Sequence, residues 1–226
     1  MAETPPLADL TLDELRPHLV RAMLLHVPFD GWTGRALEQG AADLGIDPAV
    51  ARLAFPGGAI DMVDAYIAEA DKAMAAALDT PGFRALKVRE KVTTAIRTRL
   101  EQAAPHREAI RRSAAVLALP GNLARAARLT WRTADSIWRA CGDRSTDFNH
   151  YSKRALAGAV YASTLLVWLE DDSADFADTW AFLDRRIADV MRIETAKARL
   201  RPPSGSEGER PSLVRFLGRL RYPVEG

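Results

Sequence analysis

The sequence predicts an all-α fold. Proline, glycine and helix-capping residues divide it into roughly ten helical pieces, and no alternating apolar and polar run is long enough to read as a strand. A third observation is the stretch GWTGRALEQGAADLGIDPAVARLAF, which has the layout of a helix-turn-helix. Its first helix carries Ala36, Leu37 and Ala41, a tight turn falls at Gly45, and a second helix runs from Pro48 to Phe55. The 226 residues suffice for one helical domain with a substantial core and short appendages.

Thr11 and Glu14 have capping-box spacing, but Pro17 is expected to break the helix they open, so a helix is expected over 17–27. Thr33 caps a helix to 44, Asp47 before Pro48 opens one to 54, and Gly57-Gly58 precede a longer helix to 78. After the Asp79-Thr80-Pro81-Gly82 break, helices are expected over 83–102, 105–119, 122–140, 148–170 and 174–200. The predicted organisation is therefore an amino-terminal extension (1–16), a helix-turn-helix-like subdomain (17–78) and a helical core (79–200). A flexible Pro, Gly and Ser-rich linker (201–212) and a short amphipathic segment (213–226) complete it.

The helix-turn-helix resembles the amino-terminal part of TetR-type repressors, which makes a ligand-responsive transcription regulator the alternative reading. Its charge argues against that role, because DNA affinity comes mainly from lysine and arginine on phosphates. Residues 29–64 hold six acids against Arg35 and Arg52, a net charge of −4, and the second helix offers only Arg52 as a long donor. Over the whole chain 31 basic residues nearly balance 30 acidic ones, so bulk charge does not point to nucleic acid.

Cys141 is the only cysteine, which excludes an internal disulfide and fits a reducing compartment. The start, MAETPPLADL, has neither a basic flank nor an apolar run, so neither a signal nor a transit peptide is expected and the address read is the cytoplasm. The longest uncharged stretch near a helix, ALAGAVYASTLLVWL over 155–169, falls short of the roughly 20 apolar residues that span a bilayer.

Catalytic constellations are not apparent. His18, His26, His106 and His150 carry no HxxxH, HExxH or ExxH spacing, and the glycines form no nucleotide-binding pattern. The acids Glu170, Asp171, Asp172, Asp175 and Asp178 surround Ser173, and they read as the capped first turn of the next helix. No enzyme activity, cofactor or metal is expected.

The segments GDRSTDFN, YSKRALAGAVY and SADFADTWAFLDRRI, together with HVPFDGWTGRALEQGAADLGI near the amino end, closely resemble the Coq-nine family of ubiquinone (coenzyme Q) biosynthesis accessory proteins. The likeness extends over most of residues 17–197 and suits a bacterial member. It implies a TetR-repressor-like helical domain that does not bind DNA and a hydrophobic pocket for isoprenoid quinone or phospholipid. It also implies partnership with the demethoxyubiquinone hydroxylase and a carboxy-terminal amphipathic helix that grips the membrane. Family members from eukaryotes usually carry an aromatic pair after the motif's asparagine, where this chain has His150 and Tyr151.

The residues themselves supply candidates for each role. On 148–170, small side chains including Gly158 and Ala162 alternate with Leu156, Val160 and Val167, a surface that either packs shut or leaves a groove. With Trp131, Trp138, Tyr161 and Trp168 these are the lipid-binding candidates, and an elongated apolar cavity is expected beside that helix. The loop residues Asp143, Arg144, Ser145, Asp147, Asn149, His150 and Tyr151 are the partner-binding candidates. In the tail, Leu213, Phe216, Leu217 and Leu220 form one helical stripe with Arg215 and Arg219 opposite, so the segment is read as membrane-binding. The basic stretch from Arg84 to Arg112 could add attraction to an anionic bilayer, and a homodimer is allowed. The location implied is peripheral, on the cytoplasmic face of the inner membrane.

The electronegative helix-turn-helix makes a direct prediction. At low salt, binding to random duplex DNA should be no tighter than that of a neutral control protein in a gel-shift assay. Micromolar affinity with a steep salt slope would contradict this, because the slope reports phosphate contacts.

Overall fold

The computed structural model describes residues 6–143 and 148–200, with the side chains of all of these except 8, 148, 149 and 193–200. Among the described residues there are eleven α-helices and no strand. They are α1 (Leu12–Met23), α2 (Val27–Asp30), α3 (Gly34–Asp43), α4 (Pro48–Ala54), α5 (Ala59–Leu78), α6 (Pro81–Ala85), α7 (Val88–Ala103), α8 (Arg107–Ala118), α9 (Leu123–Ala140), α10 (Phe148–Glu170) and α11 (Ala177–Leu200). The tail from 201 onward and residues 144–147 lie outside the described residues.

Two local expectations are corrected. The helix begins at Leu12 and runs through Pro17, because the Thr11 hydroxyl accepts from the Glu14 amide at 3.4 Å while Glu14 accepts from the Thr11 amide at 2.9 Å. With the first turn held by that reciprocal cap, Pro17 costs the helix only one internal hydrogen bond. The stretch expected as one helix over 83–102 is two. Thr80 caps α6, Leu86 and Lys87 are extended, and Glu90 accepts from the Lys87 amide at 2.9 Å to open α7.

The helix-turn-helix is present. Gly45 turns between α3 and α4 at φ +67°, and Asp47 accepts from the Ala49 amide at 2.7 Å. Gly40 lets α3 lie directly on α1, since a Cβ there would come within 2.9 Å of the Met23 backbone nitrogen. Arg52 of α4 turns back to Pro48 O and to Glu38, so the single cation of the second helix is engaged within the subdomain.

The subdomain boundaries expected at 16/17 and 78/79 do not divide the packing. Helix α1 crosses the first, and α5 packs against both α1 and the pair α7 and α9. The described residues up to Ala188 form one compact unit, and the described end of α11 from Asp189 belongs to a second. In the first unit Leu19, Met23, Leu37, Val63, Met74, Ile96, Ile137 and Leu183 are fully or almost fully buried. Side chains of this size each gain about 1.5–3 kcal/mol from full burial.

A buried ion pair crosses this core. Asp71 of α5 meets Arg99 of α7 at 3.1 Å, and the Thr133 hydroxyl of α9 donates to the Asp71 carboxylate at 3.1 Å. Asp71 and Arg99 are only 4% and 3% exposed. Burial pushes the Asp71 carboxyl above its ordinary value, against the pull of Arg99 and Thr133. Tyr66 and Tyr161 complete the surroundings of Arg99, and burial raises both phenols.

Much of the basic stretch expected to face a membrane is spent inside the protein. Arg112 donates to Pro28 O at the end of α2, Arg107 to Asp171 O and Arg111 to Leu169 O at the end of α10. From outside that stretch, Arg16 donates to Ala54 O at the end of α4. Guanidinium groups thus answer the unpaired carbonyls and negative dipole ends of three helices.

Removing the carboxylate from the buried pair leaves Arg99 without its counter-charge. Asp71→Ala should destabilise the protein by about 3–5 kcal/mol in urea unfolding, whereas replacing both Asp71 and Arg99 with apolar residues should recover most of that loss.

Candidate functional site

Helices α9 and α10 form the frame on which most candidate residues sit. Gly158 seats α10 on α9: a Cβ there would stand 3.4 Å from the Thr130 methyl and 3.7 Å from Ala134 Cβ. Ala157 and Val160 are buried as well, and Thr164, wholly buried, returns its hydroxyl to Val160 O at 2.7 Å. At Gly158 the small residue serves close packing against α9. Leu156, Tyr161, Ala162 and Val167 are half-buried. Trp168 lies in the core at the far end of α10 with no exposure, its ring 5.6 Å from Phe176 and under the Arg107 guanidinium.

The near end of α10 carries an exposed aromatic face. The rings of Trp131 on α9 and Tyr151 on α10 are 6.0 Å apart, and His150 meets Tyr151 edge-on at 5.1 Å. Tyr151 is 61% exposed and Trp131 37%. Sequence reasoning assigned Trp131 to lipid and the other two to a partner, and the structure puts all three on one surface. Trp138 stands apart: its indole N–H donates to Lys153 O at 2.9 Å, and the Lys153 ammonium lies over its ring.

A cationic clamp behind this face was missed in the sequence. Arg154, 2% exposed, reaches Asp135 at 2.6 Å, Asp143 at 3.3 Å and His150 O at 3.2 Å. Lys153 holds the other side of Asp143 at 3.0 Å. Asp143, expected on the docking surface, therefore faces the α9 to α10 corner as a structural anchor. The signal was the Lys-Arg pair at the start of an otherwise apolar helix. Arg144, Ser145 and Asp147 lie outside the described residues, as does the side chain of Asn149, and so do Leu213, Arg215, Phe216, Leu217, Arg219 and Leu220.

The acidic cluster after α10 is a helix start. Asp171 accepts from the Ser173 amide and hydroxyl at 2.8 and 2.6 Å and from the Thr179 amide and hydroxyl at 2.8 and 2.5 Å. Ser173 Oγ accepts from the Asp178 amide at 3.1 Å, so the two residues share the cap of α11. Burial pushes the Asp171 carboxyl up, but the four donated hydrogen bonds outweigh it and hold the group far below the ordinary carboxylate range. Asp175 and Phe176 are left-handed, at φ +53° and +57°, a strained turn that the surrounding contacts hold in place. Among the described residues no group of three or more His, Cys, Asp and Glu is arranged to hold a metal ion.

The family model that matches this chain is that of COQ9, over residues 123–194, which is the α9, α10 and α11 region just described. The human and bovine proteins called ubiquinone biosynthesis protein COQ9, mitochondrial, are 32% and 33% identical to it over 193 residues, covering 82% of this chain. The chain is thus similar in sequence to the COQ9 proteins over most of its length. It spans about 60% of the length of those curated COQ9 relatives. A TetR transcriptional regulator from Nitrosomonas europaea superposes with a TM-score of 0.64 at 21% identity, over 79% of this chain and 99% of that one. The described residues thus have a TetR-like fold, in which Glu38 is paired with Arg52, Asp61 with Arg125 and Asp64 with Arg132. No helix among the described residues is long and apolar enough to cross a membrane.

The Asp171 cap predicts a pH signature. Because its folded carboxyl is depressed, its stabilisation is complete above about pH 4 and is lost as pH falls towards the folded value. Asp171→Asn should cost about 2–4 kcal/mol in urea unfolding at pH 7, and the gap to the unsubstituted protein should narrow steadily below pH 4.

Proposed function

We propose that this chain is a lipid-binding accessory protein of ubiquinone biosynthesis. It takes up isoprenoid quinone intermediates or phospholipid at the membrane surface and presents the quinone to the demethoxyubiquinone hydroxylase, without itself catalysing a reaction. The observation that carries the reading is the similarity to COQ9 proteins, which are named for ubiquinone biosynthesis. The exposed Trp131, His150 and Tyr151 face lies inside the family-matched region and has the makeup of a protein-docking surface, large aromatic rings held rigidly by buried ion pairs behind them. The half-buried Leu156, Ala162 and Val167 are the positions on α10 left to meet an isoprenoid tail.

Membrane attachment in this reading comes from 213–226, with its apolar stripe and two opposed arginines, and the protein sits peripherally on the cytoplasmic face of an inner membrane. A homodimer is compatible with this arrangement. The TetR-like fold favours a second reading as a ligand-responsive regulator. The net −4 of residues 29–64 and the internal pairing of Arg52 weigh against it.

Lipid extracted from the purified protein and identified by mass spectrometry should include isoprenoid quinone or phospholipid; empty protein from a quinone-producing host would overturn the lipid half of the proposal. Trp131→Ala with Tyr151→Ala should weaken capture of the hydroxylase at least tenfold in surface plasmon resonance, with a melting temperature shift of only a few degrees because both rings are exposed. Deleting 212–226 should abolish flotation with anionic liposomes while helical content in the remainder persists.

A further inference from the structure

An open cleft of about 920 Å³ runs between α5 and α9 and is used by none of the roles assigned above. It follows α5 from Ala68 to Asp79, a rise of about 16 Å at 1.5 Å per residue. Its apolar lining is mostly small, Ala68, Ala75 and Ala76 of α5 and Ala140 of α9 beside Leu78, with Ala75 and Ala76 exposed. Its walls are cationic: Lys72, Arg84, Lys91, Arg132 and Arg139 against two acids, Asp71 and Asp79.

Both acids are answered by neighbouring groups. Asp71 is held by Arg99 and Thr133, and Asp79 is paired with Arg84. The cations are not all as fully satisfied. The Lys91 ammonium reaches a backbone carbonyl, Cys141 O, only at 3.5 Å, and a carbonyl cannot neutralise it. Arg132 bonds Asp64 with its terminal nitrogens, and its buried Nε lies 3.9 Å from Asp71, so this guanidinium is committed to the protein. Arg139 pairs with Asp135 at 2.7 Å while staying 76% exposed, so a second acceptor can approach it. Lys72 pairs with Glu69, Arg84 with Asp79, Arg132 with Asp64 and Arg139 with Asp135, so the charge left to a ligand in the cleft is that of Lys91, with exposed Arg139 able to take a second acceptor.

We propose that this cleft binds the anionic head group of an amphiphile, a phosphate ester whose charge meets Lys91 and Arg139 and whose first tail carbons lie on the alanine lining. The proposal deepens the lipid-binding reading by assigning the head group a place, one separate from the α10 residues. Bidentate pairing of Arg139 with phosphate oxygens adds geometry to the charge, and the mostly small lining imposes no particular tail.

Calorimetric titration of the full-length protein tests this with three probes: short-chain dihexanoyl phosphatidylglycerol, zwitterionic dihexanoyl phosphatidylcholine, and inorganic phosphate. The anionic lipid is expected to bind about tenfold more tightly than the zwitterionic one, and free phosphate more weakly than either. In Lys91→Ala with Arg139→Ala the preference for the anionic lipid should vanish, with circular dichroism and melting unchanged. Ala75→Phe, at an exposed position that tolerates a ring, should weaken both lipids and leave phosphate binding alone. Equal affinity of the unsubstituted protein for both lipids, or an unchanged preference in the double variant, overturns the head-group site. Free phosphate binding as tightly as the anionic lipid overturns the amphiphile. Native protein that carries lipid but shows these negative results would sink the cleft alone and leave the lipid-binding reading standing.

Discussion

A single buried carboxylate, Asp71, ties together the three helices that the rest of the fold is built on. It belongs to α5, is neutralised by Arg99 of α7, and receives a hydroxyl from Thr133 of α9. Burying two charges gains little net stability, and an apolar replacement can do as well. What the pair supplies is register: the carboxylate accepts from α7 and α9 at once only when the three helices stand at one height. Helix α10 inherits that register, because Gly158 seats it on α9 within van der Waals contact of Thr130 and Ala134. The aromatic face at the start of α10 therefore owes its position to an ion pair deep in the core.

The corner between α9 and α10 shows how a surface is made stiff. Arg154 lies almost wholly inside and bridges Asp135, Asp143 and His150 O. Lys153 braces Asp143 and covers Trp138. Exposed Trp131 and Tyr151 consequently sit on a backbone fixed from below. A partner that docks on such rings would lose little ordering entropy, since the arrangement exists before binding. At the opposite end of α10 the Asp171 cap and the two left-handed residues after it define where α11 starts, so both ends of α10 are held by buried polar contacts.

The sequence makes the helices and the helix-turn-helix legible because periodicity and capping are local. Thr33, Asp47 and Thr80 each cap the helix that follows, which spacing alone can express. Pro17 misled because the local rule for proline ignores a cap strong enough to hold the first turn. Long-range pairing was out of reach: the Lys153-Arg154 pair stands out at the start of an apolar helix, but nothing in the sequence says that Arg154 turns inward to Asp135 and Asp143, or that Arg99 will find Asp71 at a distance of 28 residues. The small residues of α10 were visible as a group, but whether they close or open depends on the neighbouring helix, and Thr130 decides that at Gly158. The cationic cleft escaped notice for the same reason, since its five basic residues come from four segments that only the fold brings together.

Arginines on the ends of α2, α4 and α10 have a consequence for how this molecule meets its surroundings. A guanidinium that is committed to a carbonyl inside its own fold is removed from the pool of charge that polyanions can recruit. A repressor scaffold normally lingers on any stretch of chromosome because loose cations let it slide and hop. Here those cations have become part of the masonry. Each guanidinium held in this way is one fewer to displace counter-ions from a polyanion, so the electrostatic gain open to this scaffold on such a surface is smaller by those contacts.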